Sequence, residues 1–284
     1  MTFEITSILS GKNFVRAETA AQLDGEKYMP IYENIIYSAE AGEYGAGDLL
    51  VPDECSADTP LALAVHGGAW SSLDKCRMAG IAGFLCETLH FAVFNINYRL
   101  AGAHNWPAGG DDCLAAAHFL AAGEIPQLKG IKRKALLVVG ASSGGHYALM
   151  TGLRLPREMV TGIISISGIN SVREDHVFAP GRYHTLFGHE PSGPELDMVD
   201  PVKYLTQESP PILCTHDRGD NVVPCRCTAH FTASAKAAGV NCCAYYHDRG
   251  GREISHRIFQ GDSVKLYPDL EECIAGWIRK NNIG

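Results

Sequence analysis

With 284 residues, 46% of them apolar, the chain can build one sizeable core and is too hydrophobic for disorder. A formal charge of −8, with no Lys/Arg-rich run, argues against nucleic acid as a main partner, because phosphate binding asks for a basic face. No stretch approaches the roughly 18 uninterrupted apolar residues of a membrane span. The opening MTFEITSILSGKNFVRAET carries Glu4 and no long apolar run, so it does not read as a secretion signal.

In chain order, Ile35–Ser38 and Asp48–Val51 read as an antiparallel lead-in. The run 61–65 (LALAV) is a buried strand, 81–89 has helical character, and 91–96 (FAVFNI) is a second strand. An Ala-rich helix follows at 111–122, a strand at 135–139 (ALLVV) and a helix at 145–153. Further strands are expected at 163–166, 212–214 and 243–246, with helices at 228–238 and 270–279. Short Val/Ile/Leu runs alternating with helices mean an α/β fold, in which a mostly parallel sheet is covered by helices on both faces. No linker divides the chain, so residues 1–284 read as a single domain. The stretch 171–196, with scattered aromatics and three histidines, fits no element. It reads equally as an irregular surface loop or as a lid or cap insertion over a site.

The sharpest chemical signal is Gly140-Ala141-Ser142-Ser143-Gly144-Gly145, set between the ALLVV strand and a helical run. A nucleophile on a sharp strand-to-helix turn sits in strained φ/ψ, so its flanks must be nearly free of side chain. The turn also puts Ser142 at a helix N-terminus, where free N–H groups favour developing negative charge. Ser143 is the competing nucleophile, with Ala141 and Gly145 as flanks.

His66-Gly67-Gly68-Ala69-Trp70 follows the LALAV strand directly. Tandem glycines let backbone N–H groups approach a ligand. The N–H groups of Gly67, Gly68 and Ser143 are the candidate oxyanion hole, and His66 reads as a residue that shapes this loop. A serine hydroxyl needs a base, and the base needs an acid that fixes its tautomer. After the strand at 212–214, the turn HDRGDNVVP offers Asp220 and, second to it, Asp217. The base is His256, on a loop behind Gly250 and Gly251, or else His247 at the end of the preceding strand.

These motifs, together with Asn97-Tyr98-Arg99-Leu100, Pro107-Ala108 and Asp112-Cys113-Leu114-Ala115-Ala116, resemble α/β-hydrolase esterases of the hormone-sensitive lipase and carboxylesterase group. The resemblance runs from about Asp48 to His256. It implies an α/β-hydrolase fold with a central sheet of about eight strands, a Ser142–His256–Asp220 triad and an HGG oxyanion loop. Asp220 falls on the aspartate of that group's HG-x-x-D motif. Three positions depart from the pattern. Asp217 stands where Gly is usual, and Ser143 where Ala is usual. The strand-to-histidine loop is long and charged (Asp248, Arg249, Arg252, Glu253).

HGG-x-W is also similar to kynurenine formamidases and prenylcysteine methylesterases. The function expected is hydrolysis of small carboxylic esters, with arylformamide hydrolysis and a non-catalytic receptor as alternatives. The partner expected is a small-molecule ester or amide, with no metal, no cofactor and no membrane. Arg99 and Asp112 are candidates for a buried pair bracing the oxyanion loop. Ten cysteines in a large chain without a secretion signal read as free buried thiols of a cytoplasmic protein.

Overall fold

The computed structural model describes residues 15–16, 30–249, 256, 258–260 and 264–284. The N-terminal stretch read for a secretion signal and the loop 250–255 lie outside the described residues. Nine strands form one sheet among those described: β1 (Val15–Arg16), β2 (Pro30–Ile36), β3 (Ala46–Leu50), β4 (Leu61–Val65), β5 (Ala92–Ile96), β6 (Leu136–Ala141), β7 (Val160–Ile166), β8 (Ile212–Asp217) and β9 (Cys242–His247). Their spatial order is β1-β2-β3-β5-β4-β6-β7-β8-β9. β3 runs antiparallel to both β2 and β5, and every other neighbouring pair is parallel. The lead-in is therefore antiparallel and the body parallel, as the runs of apolar residues require.

Helices α1 (Ala79–Glu87), α2 (Ala108–Ala122), α3 (Ser143–Arg154), α7 (Arg226–Ala237) and α8 (Pro268–Lys280) cover the sheet. The strand period of two divides the core into two layers. In β4, Leu61, Leu63 and Val65 point to the layer filled by Cys113, Ala116 and Leu120 of α2, Tyr147 of α3 and Phe231 of α7. Ala62 and Ala64 point to the other layer, with Ile81 and Leu85 of α1 and Ile274 and Trp277 of α8. Both faces of β4 are thus dry, which is why its sequence shows no polar alternation.

The stretch 171–196 is helical. It forms α4 (Val172–Phe178) and α5 (Gly181–Phe187), and it enters α6 (Gly193–Met198). Each helix is at most seven residues long, too short to display a 3.6 period. Their ends are nevertheless written locally. Gly188 closes α5 at φ 76°, and Ser192 and Glu195 form a reciprocal capping box that starts α6. All ten cysteines are unpaired, but Cys55, Cys76 and Cys243 are exposed, so the thiols are free without all being buried.

Candidate active site

The turn between β6 and α3 places Ser142 at φ 57°, ψ −126°. This is a left-handed backbone that a side chain adopts only under constraint. The flanking glycines supply the room. A Cβ on Gly140 would strike the Gly144 carbonyl, and one on Gly144 would strike the carbonyls of Val65 and His66 at the end of β4. The serine turn and the HGG loop are therefore packed backbone against backbone. Ser143 opens α3 fully buried, in the first turn, where N–H groups have no intrahelical acceptor.

The HGG loop is held by buried polar contacts. His66 Nδ1 donates to the Gly67 carbonyl at 2.7 Å, and its ring stacks on Tyr98 with centroids 4.2 Å apart. Burial brings its pKa down to about 4, so it is a neutral brace. The Trp70 N–H donates to Ser143 Oγ at 3.1 Å, and Trp70 Nε1 donates to His146 Nδ1 at 3.2 Å. His146 Nε2 in turn donates to the Val199 carbonyl. The Ser143 hydroxyl and His146 thus fasten the loop to α3, a role the sequence reading did not assign. The only sequence signal for it was serine in place of the usual alanine.

Arg99 and Asp112 do pair. The guanidinium meets Asp112 Oδ1 at 2.7 Å through Nη2 and Oδ2 at 2.9 Å through Nε, and Asp112 Oδ2 also accepts the Arg99 backbone N–H. The pair steadies the segment that carries Tyr98, and so reaches the HGG loop through the stacked His66. Ala101 N–H adds a direct bond to the Trp70 carbonyl.

Asp220 follows β8 and is buried. Its Oδ1 accepts the backbone N–H groups of Val222 and Val223, both at 2.9 Å. Its Oδ2 accepts His256 Nδ1 at 2.7 Å, with His216 Nε2 3.4 Å away. Burial raises the carboxyl pKa, but the adjoining His216 and His256 rings outweigh it and hold the group ionised well below the usual carboxylate range. Behind it lies a fully buried chain. Ser165 Oγ donates to Asn170 Oδ1, Asn170 Nδ2 to Thr228 Oγ1, and Thr228 Oγ1 to His216 Nδ1; His216 Nε2 donates to the Val223 carbonyl. Asp217 has another task. It accepts the Gly219 N–H in an Asx turn and stands 3.8 Å from His247.

The other nitrogen of the His256 ring, Nε2, is buried and takes no hydrogen bond among the described residues. His256, Ser142, Gly67 and Gly68 all line one cavity of about 320 Å³. Of the residues expected from the sequence, the structure therefore brings Ser142, His256, Gly67 and Gly68 to one pocket wall. Asp220 sits behind His256, and Ser143 adjoins Ser142. Among the described residues no three His, Cys, Asp or Glu side chains group to hold a metal, and no helix is long and apolar enough to cross a membrane.

The family model BD-FAE matches residues 48–234. Among solved structures, the fold is similar to a truncated carbohydrate esterase from gut microbiota, with TM-score 0.70 and 20% identity over 87% of this chain and 95% of that one. It is also similar to esterase B of Lactobacillus rhamnosis (TM-score 0.68, 16% identity, 89% of this chain and 85% of that one). A curated relative, the carboxylic ester hydrolase LipN of Mycobacterium tuberculosis, is 35% identical over 91 residues, which are 31% of this chain and 23% of LipN. A second match, 25% identical over 122 residues, covers 42% of this chain and 14% of an FAD-linked oxidoreductase of Aspergillus terreus. The matches thus span less than a quarter of either curated relative.

Proposed function

Because the chain belongs to the BD-FAE family and has the α/β-hydrolase fold, we propose that it is a carboxylic ester hydrolase working through an acyl-enzyme on Ser142. The observation that carries the reading is the 2.7 Å bond from His256 Nδ1 to Asp220, with Nε2 unpartnered among the described residues and His256 lining the same cavity as Ser142. A bond at Nδ1 fixes the proton there and leaves Nε2 as the base.

In this mechanism Nε2 takes the Ser142 proton as Oγ attacks the ester carbonyl. The oxygen that turns negative is received by the N–H groups of Gly67, Gly68 and Ser143, a contribution of about 3 kcal/mol per donor. His256 then returns the proton to the departing alcohol, and a water activated by the same nitrogen releases the acid. Asp220 stays ionised throughout and stabilises the imidazolium. The small cavity suits compact substrates, and LipN, also an ester hydrolase by name, is in keeping with this chemistry.

The test is labelling by a fluorophosphonate and turnover of phenyl acetate, in the protein and in Ser142→Ala, with N-formylkynurenine as amide counter-substrate. Label on Ser142, with turnover lost in the variant, is the expected result. An unlabelled protein, or a variant that keeps most of its activity, overturns the assignment, and a preference for the formamide replaces ester by amide.

A further inference from the structure

The cavity beside Ser142 carries a charge that hydrolysis of a simple neutral ester does not use. Its wall is mostly apolar, with Leu73, Met78, Ile169, Val222, Ile258 and Phe259, and two arginines, Arg77 and Arg182, join it. No aspartate or glutamate lines it among the described residues, in a chain whose 32 acids outnumber its 24 Lys and Arg. The two guanidiniums are not equivalent. Arg182, on α5, is pinned at 3.2 Å to the buried Asp175 and at 2.8 Å to the Val222 carbonyl, so its charge is met from behind. Arg77 lies in the short 3-10 turn Lys75–Met78. Among the described residues its partner is the face of Phe259, 5.5 Å from the ring centroid, which orients the guanidinium but does not neutralise it.

The rim nearby is built at a conformational cost. Leu73 holds φ 68° and is 53% exposed while lining the cavity. A leucine is rarely kept in left-handed backbone, so this part of the rim is held in place by its surroundings. An apolar wall with one oriented cation is the arrangement by which pockets fix the direction of a ligand. Guanidinium geometry matches a carboxylate in a two-point contact.

We propose that the substrate is an ester that also bears a carboxylate, held by Arg77, with its apolar body against Leu73 and Phe259. This rests on the ester-hydrolase reading above and adds the substrate class.

The experiment compares kcat/KM for two pairs of esters, monophenyl adipate against phenyl heptanoate and 4-carboxyphenyl acetate against phenyl acetate. The first pair puts the charge on the acyl side and the second on the alcohol side. Each is measured in the protein, in Arg77→Gln and in Arg77→Lys, so that intrinsic differences in reactivity cancel. In one pair the charged-to-neutral ratio is expected to fall about tenfold or more in Arg77→Gln, chiefly through KM, and to recover in part in Arg77→Lys. In the unaltered protein the same ratio is expected to drop as salt rises from about 0.05 to about 0.5 M. Hexanoate should inhibit phenyl acetate turnover better than hexanamide, a comparison that needs no variant. Ratios in Arg77→Gln within about twofold of the unaltered protein in both pairs, or equal inhibition by acid and amide, overturn the proposal. If neutral esters turn over and Ser142 is labelled while these ratios stay fixed, only the substrate class falls. If no ester turns over and Ser142 is unlabelled, the parent reading falls with it.

Discussion

Asp220→Asn isolates what the buried carboxylate does, because the structure dictates how the amide must sit. Val222 and Val223 both present N–H groups to Oδ1, so the amide oxygen has to take that side. The NH₂ is then forced to the place of Oδ2, 2.7 Å from His256 Nδ1 and 3.4 Å from His216 Nε2. Two donors cannot share that bond. His256 must move its proton to Nε2 so that Nδ1 can accept, and Nε2 then ceases to be a base. The same change of tautomer in a serine triad costs about ten-thousandfold in kcat, or about 5 kcal/mol of transition-state stabilisation. Stability should change far less, since His216 keeps the Val223 carbonyl and both backbone donors keep an acceptor. Stopped-flow kinetics on phenyl acetate and a urea titration measure the two quantities separately. A variant that retains kcat within tenfold of the original would refute the assignment of His256 as the base held by Asp220.

Three further outcomes follow from the same geometry. Gly144→Ala drives a Cβ into the carbonyls of Val65 and His66, and displacing the HGG loop in this way is expected to lower kcat/KM about a hundredfold; near-normal kinetics would show that the loop is not held by this contact. Thr228→Val keeps the shape but removes the donor to His216 Nδ1 and the acceptor of Asn170, so a stability loss of about 1–3 kcal/mol with a fall in kcat is expected; unchanged kinetics would disconnect the chain from Asp220. Acid should weaken the fold from pH 6.5 downward: His66 and His146 are held down to about 4 by burial, from an ordinary 6.5, so each contribution is whole above 6.5 and about 3 kcal/mol of it is lost as pH falls to 4. Asp175, pushed up to about 6 by burial, acts in the opposite direction and loses its contribution as pH rises through that value, so the net acid-side loss is smaller than the two histidines alone imply. A urea midpoint that stays level from pH 6.5 to 4 would contradict this balance.

The parts of the molecule legible in the sequence are those whose cause is local. LALAV is β4 to the residue because both of its faces are dry and nothing polar interrupts it. β7 is longer than its apolar core of 163–166, starting at Val160. Gly162 obscured it, because its missing side chain leaves space for Trp277 and Ile283, a reason that lies more than a hundred residues away. The two-residue β1 carries no periodic signal at all. At the site, the strand–turn–helix context pointed to Ser142, and chain order pointed to Asp220 and His256. Their roles stay proposals, but the pairing of the acid with that histidine is seen directly. What could not be read was the support. Ser143 Oγ beneath Trp70, the relay from Ser165 to His216, and Arg77 and Arg182 meeting in one cavity wall all join segments brought together only by the fold.

That support explains why the site tolerates an unfavourable backbone. Among the described residues eight non-glycine residues have positive φ, and four of them, Ala69, Trp70, Leu73 and Ser142, belong to the HGG loop and the serine turn. At about 1–3 kcal/mol each, such strain would relax if the neighbouring structure allowed it. It is opposed by groups that cannot move without leaving a buried polar atom unmatched. Trp70 N–H and Nε1 are bound to Ser143 and His146, and the Lys75 N–H and ammonium to Asn97 and Asp48. Each such loss costs about as much as one strained residue would recover. The strained conformation and the buried network are therefore comparable in energy and mutually dependent. Removing a network member should loosen the oxyanion loop before it unfolds the sheet, because the two apolar layers hold many side chains besides Trp70. Trp70→Phe deletes Nε1–H and, because Trp70 is fully buried, also leaves a void where the larger indole stood: turnover should fall, with a stability loss of roughly 2–4 kcal/mol from the void and the unmatched His146 together. Loss of stability without loss of turnover would mean that the network serves the core and leaves the site to hold itself.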